Sequence, residues 1–295
     1  MLPNLTKLQT CILLALTKFR FLTNSQFHLL ELGNIHTIRR TTKTLFEMSL
    51  IEVRRFPVSA RAGRMEHVHS LTRKGWSIAA DMVRYPLPQR YSAPVYELDF
   101  WHRKAVINFH ILLSKSLTRH NRWGLIIDRY DQYFDKNGAN NRKATGEPLH
   151  ATTRIAFLET GFFIPDSIFI LKAAHASWQA LFTLEYVRGN KTERTIRQIK
   201  RHMKAIRQGV MRRRYRLPKG QDYISLFLFE REALLACVFR ELSRNPKIGF
   251  APYRHHFLFS TMTGAQKDVQ RCWLKALDSR VYNFIDGSKA FKSST

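Results

Sequence analysis

Residues 163–187 open on Phe163-Ile-Pro-Asp-Ser-Ile-Phe-Ile-Leu171 and, after a short break, continue as Trp178-Gln-Ala-Leu-Phe-Thr-Leu-Glu-Tyr-Val187. Both runs are rich in β-branched and aromatic residues and too short for helices, so they predict two strands joined by a turn. Downstream, Ile196, Ile199, Met203 and Ile206 are spaced as one face of a helix over 192–208. A strand over 223–229, a helix over 231–242 and a last strand over 256–261 follow. Upstream lie a short apolar strand at 123–127 and a helix over 101–118, with a loop at 135–150. The resulting order is α-β-β-β-α-β with a further helix, a mixed α/β domain over 100–295.

The preceding segment, 86–99, holds Pro86, Pro88 and Pro94 and is expected to be a linker, since Pro blocks helix continuation and favours extended chain. Residues 1–85 have another rhythm. Apolar side chains at 5, 8, 12, 13 and 16 mark a first helix. Thr23 to Gln26 offer N-caps for a second, which Gly33 stops, and 35–48 is a third. Strands at 50–55 and 65–71 flank a turn at 57–64, and a further helix starts at Arg73. Three helices and a basic-tipped hairpin describe a winged helix-turn-helix, whose third helix enters the major groove while the hairpin touches the backbone. Arg39, Arg40, Thr41 and Lys43 are expected to face DNA, with Arg61 and Arg64 on the wing. The alternative is a small helical domain with a solvated basic face.

Charge agrees with a nucleic-acid partner. The 295 residues carry 49 Lys and Arg against 22 Asp and Glu, a formal net charge of +27, and 44% are hydrophobic, so the chain folds and needs a polyanion nearby. Residues 188–219 concentrate the charge: Arg188, Arg197, Lys200, Lys204 and Arg207 share the segment with one acid, Glu193. A solvated face mixes signs, so this one reads as a phosphate track. Cys11, Cys237 and Cys272 are odd in number and far apart, which excludes a zinc finger and argues against a disulfide framework. No apolar run is long enough to span a bilayer and no cleavage pattern follows the apolar Cys11–Leu16 stretch, so a cytoplasmic location without membrane insertion is expected.

Asp166 and Glu185 carry the candidate chemistry. Neighbouring strands can bring both carboxylates to one edge, where a hard divalent ion takes one or two carboxylates plus water and phosphate oxygens. The bland alternative makes Asp166 a turn acid and Glu185 a polar residue on an edge strand. Flanked by Leu181-Phe-Thr-Leu184, Glu185 then needs a partner.

Together, the winged helix, His102, Phe-Ile-Pro-Asp166 and Leu-Glu185-Tyr-Val-Arg188-Gly189 before a basic helix resemble the replication-relaxation family, which includes the MOBC-type mobilisation relaxases of bacterial plasmids. The likeness covers residues 5 to 261. It implies a second domain similar to the PD-(D/E)XK nucleases of restriction enzymes, hence an α+β chain with a restriction-endonuclease-like mixed sheet. It further implies Asp166 and Glu185 as ligands of Mg2+ or Mn2+. The partners it implies are a duplex DNA site, nicked or single-stranded, and relaxosome or coupling proteins. Residue 187 departs from the pattern: the nucleases have Lys there and the relaxases an acid, while this chain has Val187. A third catalytic group is then left to Lys200 or Lys204, or to a carboxylate from Asp128 or Asp131. Otherwise the domain is inactive and the chain is a DNA-binding accessory or regulator. His67-Val68-His69 matches the His-hydrophobic-His pattern of the other great relaxase class, but it lies in the wing without a third His or a Tyr partner and is read as structural. His255 and His256, adjacent on a strand, would face opposite sides.

Overall fold

The computed structural model describes residues 4–58, 63–83, 99–119, 124–137, 149–174, 178–276, 278 and 280–285. The chain forms two compact units, 1–111 and 112–295. The expected linker at 86–99 lies outside the described residues apart from Asp99.

Unit 1 runs α1 (Lys7–Phe19), β1 (Leu22–Thr23), α2 (Asn24–Leu29), α3 (Ile35–Glu47), β2 (Ile51–Arg54), β3 (Val68–Leu71) and α4 (Arg73–Met82). The strands form one antiparallel sheet in the order β1-β3-β2, the winged-helix arrangement. Caps set the helix starts: Thr6 with Gln9 and Thr23 with Gln26 form capping boxes, and Asn34 accepts from the Thr37 amide at 2.9 Å. Helix α2 ends at Leu29, before Gly33, because Glu31 already turns into the left-handed region at φ 62°. Ile12, Leu13, Leu16, Phe27, Ile38 and Leu45 fill the core. At Gly75 a Cβ would lie 1.9 Å from the Leu50 carbonyl oxygen, so only glycine lets α4 close on the turn before β2.

The next helix, α5 (Phe100–Arg119), begins in unit 1. Gln26 donates to the Lys104 carbonyl and to Asn108 Oδ1, and Lys104 pairs with Glu66 at 3.0 Å. Those bonds tie the first half of α5 to the winged helix and move the break from residue 100 to 111/112.

Unit 2 continues with β4 (Leu125–Gln132), β5 (Lys136–Asn137), β6 (His150–Ala151), β7 (Ile155–Ala156), β8 (Phe162–Phe163), β9 (Ser167–Ala173) and β10 (Gln179–Val187). Then come α6 (Thr192–Gln208), α7 (Val210–Arg214), β11 (Ile224–Phe229), α8 (Glu232–Arg244), β12 (Phe257–Thr261), α9 (Met262–Lys267), β13 (Trp273–Leu274) and β14 (Val281–Tyr282). Among the described residues, seven strands form one mixed sheet in the order β14-β13-β12-β11-β10-β9-β4. β4, β9 and β10 are antiparallel neighbours; β10, β11 and β12 run parallel, joined through α6–α7 and α8. Parallel strands are covered on both faces, which is why β11 is buried throughout. Glu185 therefore sits on a central strand, not on an edge. Tyr223, Phe227, Phe229, Phe257 and Phe259 pack under α6 and α8. At the outer edge β4 is irregular: Ile127 pairs with Leu171 and Arg129 with Ile170, so Asp128 is an extra, bulged residue, held to Lys172 at 2.8 Å. His255 and His256 lie in a 3-10 turn over Ala251–His256 rather than on a strand, with ring centroids 4.1 Å apart.

Candidate functional site

The antiparallel β9–β10 pairing decides where the two carboxylates meet. Leu184 faces Ser167, and one step further places Glu185 opposite Asp166. Asp166 Oδ2 accepts from the Tyr186 amide at 2.6 Å, and the Asp166 carbonyl accepts from the Tyr133 amide at 3.0 Å. Both acids are buried, at 8% and 2% exposure. Burial holds the Glu185 carboxyl well above the usual carboxylate range; the Asp166 charge pushes the same way, and Arg194 and Arg201 oppose it.

Helix α6 supplies partners for Glu185 that the sequence did not reveal. His202 Nε2 lies 2.9 Å from Oε1, and the Gln198 amide donates to Oε2 at 3.0 Å. Beyond the ring, His202 Nδ1 is 2.9 Å from Ser225 Oγ and 3.1 Å from the Tyr223 hydroxyl, and Ser225 Oγ is 3.1 Å from Thr183 Oγ1. Burial lowers the His202 pKa to about 3 and raises that of Glu185, so it favours the neutral form of each member of the pair. Gln198 and His202 are one helical turn apart, which puts both side chains on one face. The signal in the sequence was a lone His among Ile199, Met203 and Ile206.

Other nominated residues lie elsewhere. Lys204 Nζ is 3.3 Å from Glu159 and 4.8 Å from the Phe157 ring centre. Lys200 lines a groove with Glu193, Arg197 and Glu241. The structure does not bring either lysine to Glu185; the cations whose charge reaches that carboxyl are Arg194 and Arg201. Asp131 is held by Arg129 at 2.6 Å and Asp128 by Lys172. Val187 packs into the apolar cluster with Ile196 and Ile199, so its position is used for the core. Among the described residues, no three His, Cys, Asp or Glu side chains gather as a metal-binding group.

On unit 1, Arg39, Arg40 and Lys43 stand exposed on α3, Lys43 within 3.8 Å of Glu47. Thr41 is half-buried and its hydroxyl donates to the Thr37 carbonyl. Arg64 is exposed beyond β2, and Arg61 lies outside the described residues. His69 is buried against Phe27 while His67 is exposed, so the triplet does not form a chelating pair.

On α6, Arg194, Arg197, Lys200, Arg201 and Arg207 are all exposed, and Arg188 is 3.4 Å from Glu230. Changing Arg194, Arg197 and Arg201 to Gln is expected to weaken DNA binding without altering sequence preference. The slope of log K against log salt should flatten by about 0.9 for each duplex phosphate that the variant no longer neutralises. A slope equal to wild type would mean the face is merely solvated.

No family model matches the chain, and no curated protein matches it. Among solved structures, the adhesin competence repressor AdcR from Streptococcus pyogenes is similar over 26% of this chain and 55% of its own, at 23% identity and a TM-score of 0.23. A mutant of Lactococcus lactis ZitR is similar over 26% of this chain and 50% of its own, at 26% identity and a TM-score of 0.23. The chain thus spans about half the length of each structure it matches. Among the described residues, no helix is long and apolar enough to cross a membrane.

Proposed function

We propose that the chain is a site-specific DNA-binding protein of a mobile element that nicks DNA in a metal-dependent reaction during plasmid mobilisation or replication initiation. The observation that carries this reading is the apposition of Asp166 and Glu185. Asp166 immediately precedes β9 and Glu185 lies on the neighbouring strand β10, beside a strongly basic helix. Two adjacent carboxylates suit Mg2+ or Mn2+, which keep several waters and add phosphate oxygens. Asp166 and Glu185 would hold the ion, whose chemistry there would be activation of water and polarisation of the phosphate. Gln198 and His202 orient Glu185, and Arg194 and Arg201 offer charge to the scissile strand. Docking on a duplex site falls to α3 and the wing.

A second reading, a non-catalytic DNA-binding accessory or regulator, is favoured by Val187 in the core and by the two partners that occupy both Glu185 oxygens. Supercoiled DNA bearing the element's own transfer or replication origin separates the readings. Open-circle product with Mg2+ or Mn2+, and none with chelator, supports nicking. Salt-dependent binding without product in any metal supports the accessory.

For the winged helix, replacing Arg39 and Arg40 with Ala is expected to cost about 1–3 kcal/mol for each base that either side chain reads, less where only phosphate is touched. Unchanged affinity and sequence preference in electrophoretic mobility shifts would remove α3 from the interface.

A further inference from the structure

The hairpin of β7 and β8 sorts its side chains in a way the core does not need. Ile155 pairs with Phe163 and Ala156 with Phe162, and side chains alternate across a strand. Ile155 and Phe163 turn inward; Phe163 stacks on Phe157 at 5.5 Å and meets the His202 ring at 4.9 Å. Phe162 is left outside, 47% exposed, and Ile164, just past the end of β8, is 40% exposed. The Arg154 guanidinium lies 4.5 Å from the Phe162 ring centre. Arg214, in the basic segment, donates to the Arg154 and Thr152 carbonyls and so ties the hairpin to that segment.

We propose that this hairpin is a stacking site for unpaired bases of single-stranded DNA, with Phe162 as the platform and Arg154 as the phosphate partner. The inference rests on the DNA-binding reading above and adds the form of DNA and the residues that hold it. An exposed aromatic face beside cations is what an unpaired base needs, since every base has a π-face and a backbone charge. Bases within a duplex already stack on each other and leave no face for Phe162. Charge complementarity selects this occupant over an apolar protein segment: 13 Lys and Arg against Glu193 alone over 188–219 would repel most surfaces except a polyanion. Glu159 at the hairpin tip is already paired with Lys204. The strand from Phe162 leads through Ile164 and Pro165 to Asp166, at most about 14 Å of extended chain. A base on Phe162 therefore anchors its strand next to the carboxylate pair.

The test titrates the full chain against labelled oligothymidine and an abasic strand of equal length, which keeps the phosphates and removes the bases. Wild type is expected to prefer oligothymidine by about 5- to 150-fold, the range for one stacked base. Phe162→Ala should erase the preference and leave the abasic strand and duplex bound as in wild type. Phe162→Trp should keep the preference, and the emission it adds over wild type should fall with oligothymidine but not with the abasic strand. Equal wild-type affinity for the two strands overturns the proposal, as does an equal loss on both in Phe162→Ala, which is the outcome if the hairpin docks protein instead. Duplex binding in the same titrations separates the levels. If it persists, only the hairpin assignment falls; if it is absent as well, the DNA-binding reading falls with it.

Discussion

Glu185→Gln is expected to lower metal-dependent nicking by at least about 100-fold, the scale of removing one preorganised electrostatic interaction, while DNA binding survives. Asp166→Asn should do the same, since each variant replaces a carboxyl that can ligate a metal as an anion with an amide that cannot ionise, and keeps its shape. In Asp166→Asn duplex affinity should also rise, because the Asp166 carboxylate repels phosphate when no metal is bound. Folding separates catalysis from damage. The folded Glu185 pKa is raised above the unfolded value, so its stabilising effect is present at low pH and is lost as pH rises through the folded value. Gln needs no ionisation. Its oxygen can accept from Gln198 and its amide can donate to His202 Nε2. The variant should therefore be inactive yet melt above wild type near pH 8, with the gap closing toward pH 4. Nicking at the wild-type rate sinks the metal reading; a variant that melts lower at every pH sinks the neutral-pair account.

Acid should unfold unit 1 before unit 2. Burial lowers His69 to about 4, with the His67 charge adding to it, and burial and the Lys18 charge hold His110 well below its usual range. Unfolded histidine titrates near 6.5. Below that pH the unfolded unit binds two protons that the folded one refuses, so stability is full above about 6.5 and falls by about 2.7 kcal/mol per pH unit beneath it. The loss from His69 levels off near its folded value. Unit 2 buries His202 and His256 too, but Glu185 has the opposite sign and offsets one of them. Amide hydrogen exchange between about pH 7.5 and about pH 5, corrected for intrinsic rates, should show α1–α4 losing protection more steeply than β10–β12. His69→Phe should flatten that slope. Both ring nitrogens of His69 are buried without a hydrogen-bond partner among the described residues, so a phenyl ring against Phe27 gives up nothing. Equal slopes in the two units, or an unchanged slope in the variant, would refute the account.

Local chemistry made much of this fold legible. The apolar stripe through Ile196, Ile199, Met203 and Ile206 bounds α6 at 192–208, as the structure has it. The winged-helix order follows from Thr23, Asn34 and the hairpin around the turn. The two-residue strands β1, β5, β6, β7, β8, β13 and β14 carry no periodicity and were invisible. β4 extends to Gln132 through Asp128, Arg129 and Asp131 because an edge strand tolerates charge that a central strand would not. The Asp166–Glu185 apposition was readable because an antiparallel turn sets its own register. His202 and Gln198 were not, since the phase of α6 about its axis comes from how its apolar stripe seats on the sheet. The same phase carries Lys200 and Lys204 away from Glu185.

The bulge at Asp128 has a consequence for how copies of this chain meet. Among the described residues β4 is the outermost strand on its side of the sheet, and an open strand edge is a template for another chain to add its own strand and grow fibres. Asp128 breaks the even spacing of amides and carbonyls there and plants a carboxylate on the rim, beside the exposed Ile126. The far edge is β14, only two residues long. Deleting Asp128 would straighten the ladder and offer neighbouring molecules a flat, half-apolar rim. A variant lacking Asp128 is therefore expected to scatter more light than wild type at equal concentration, and equal scattering would show that the bulge does not guard this edge.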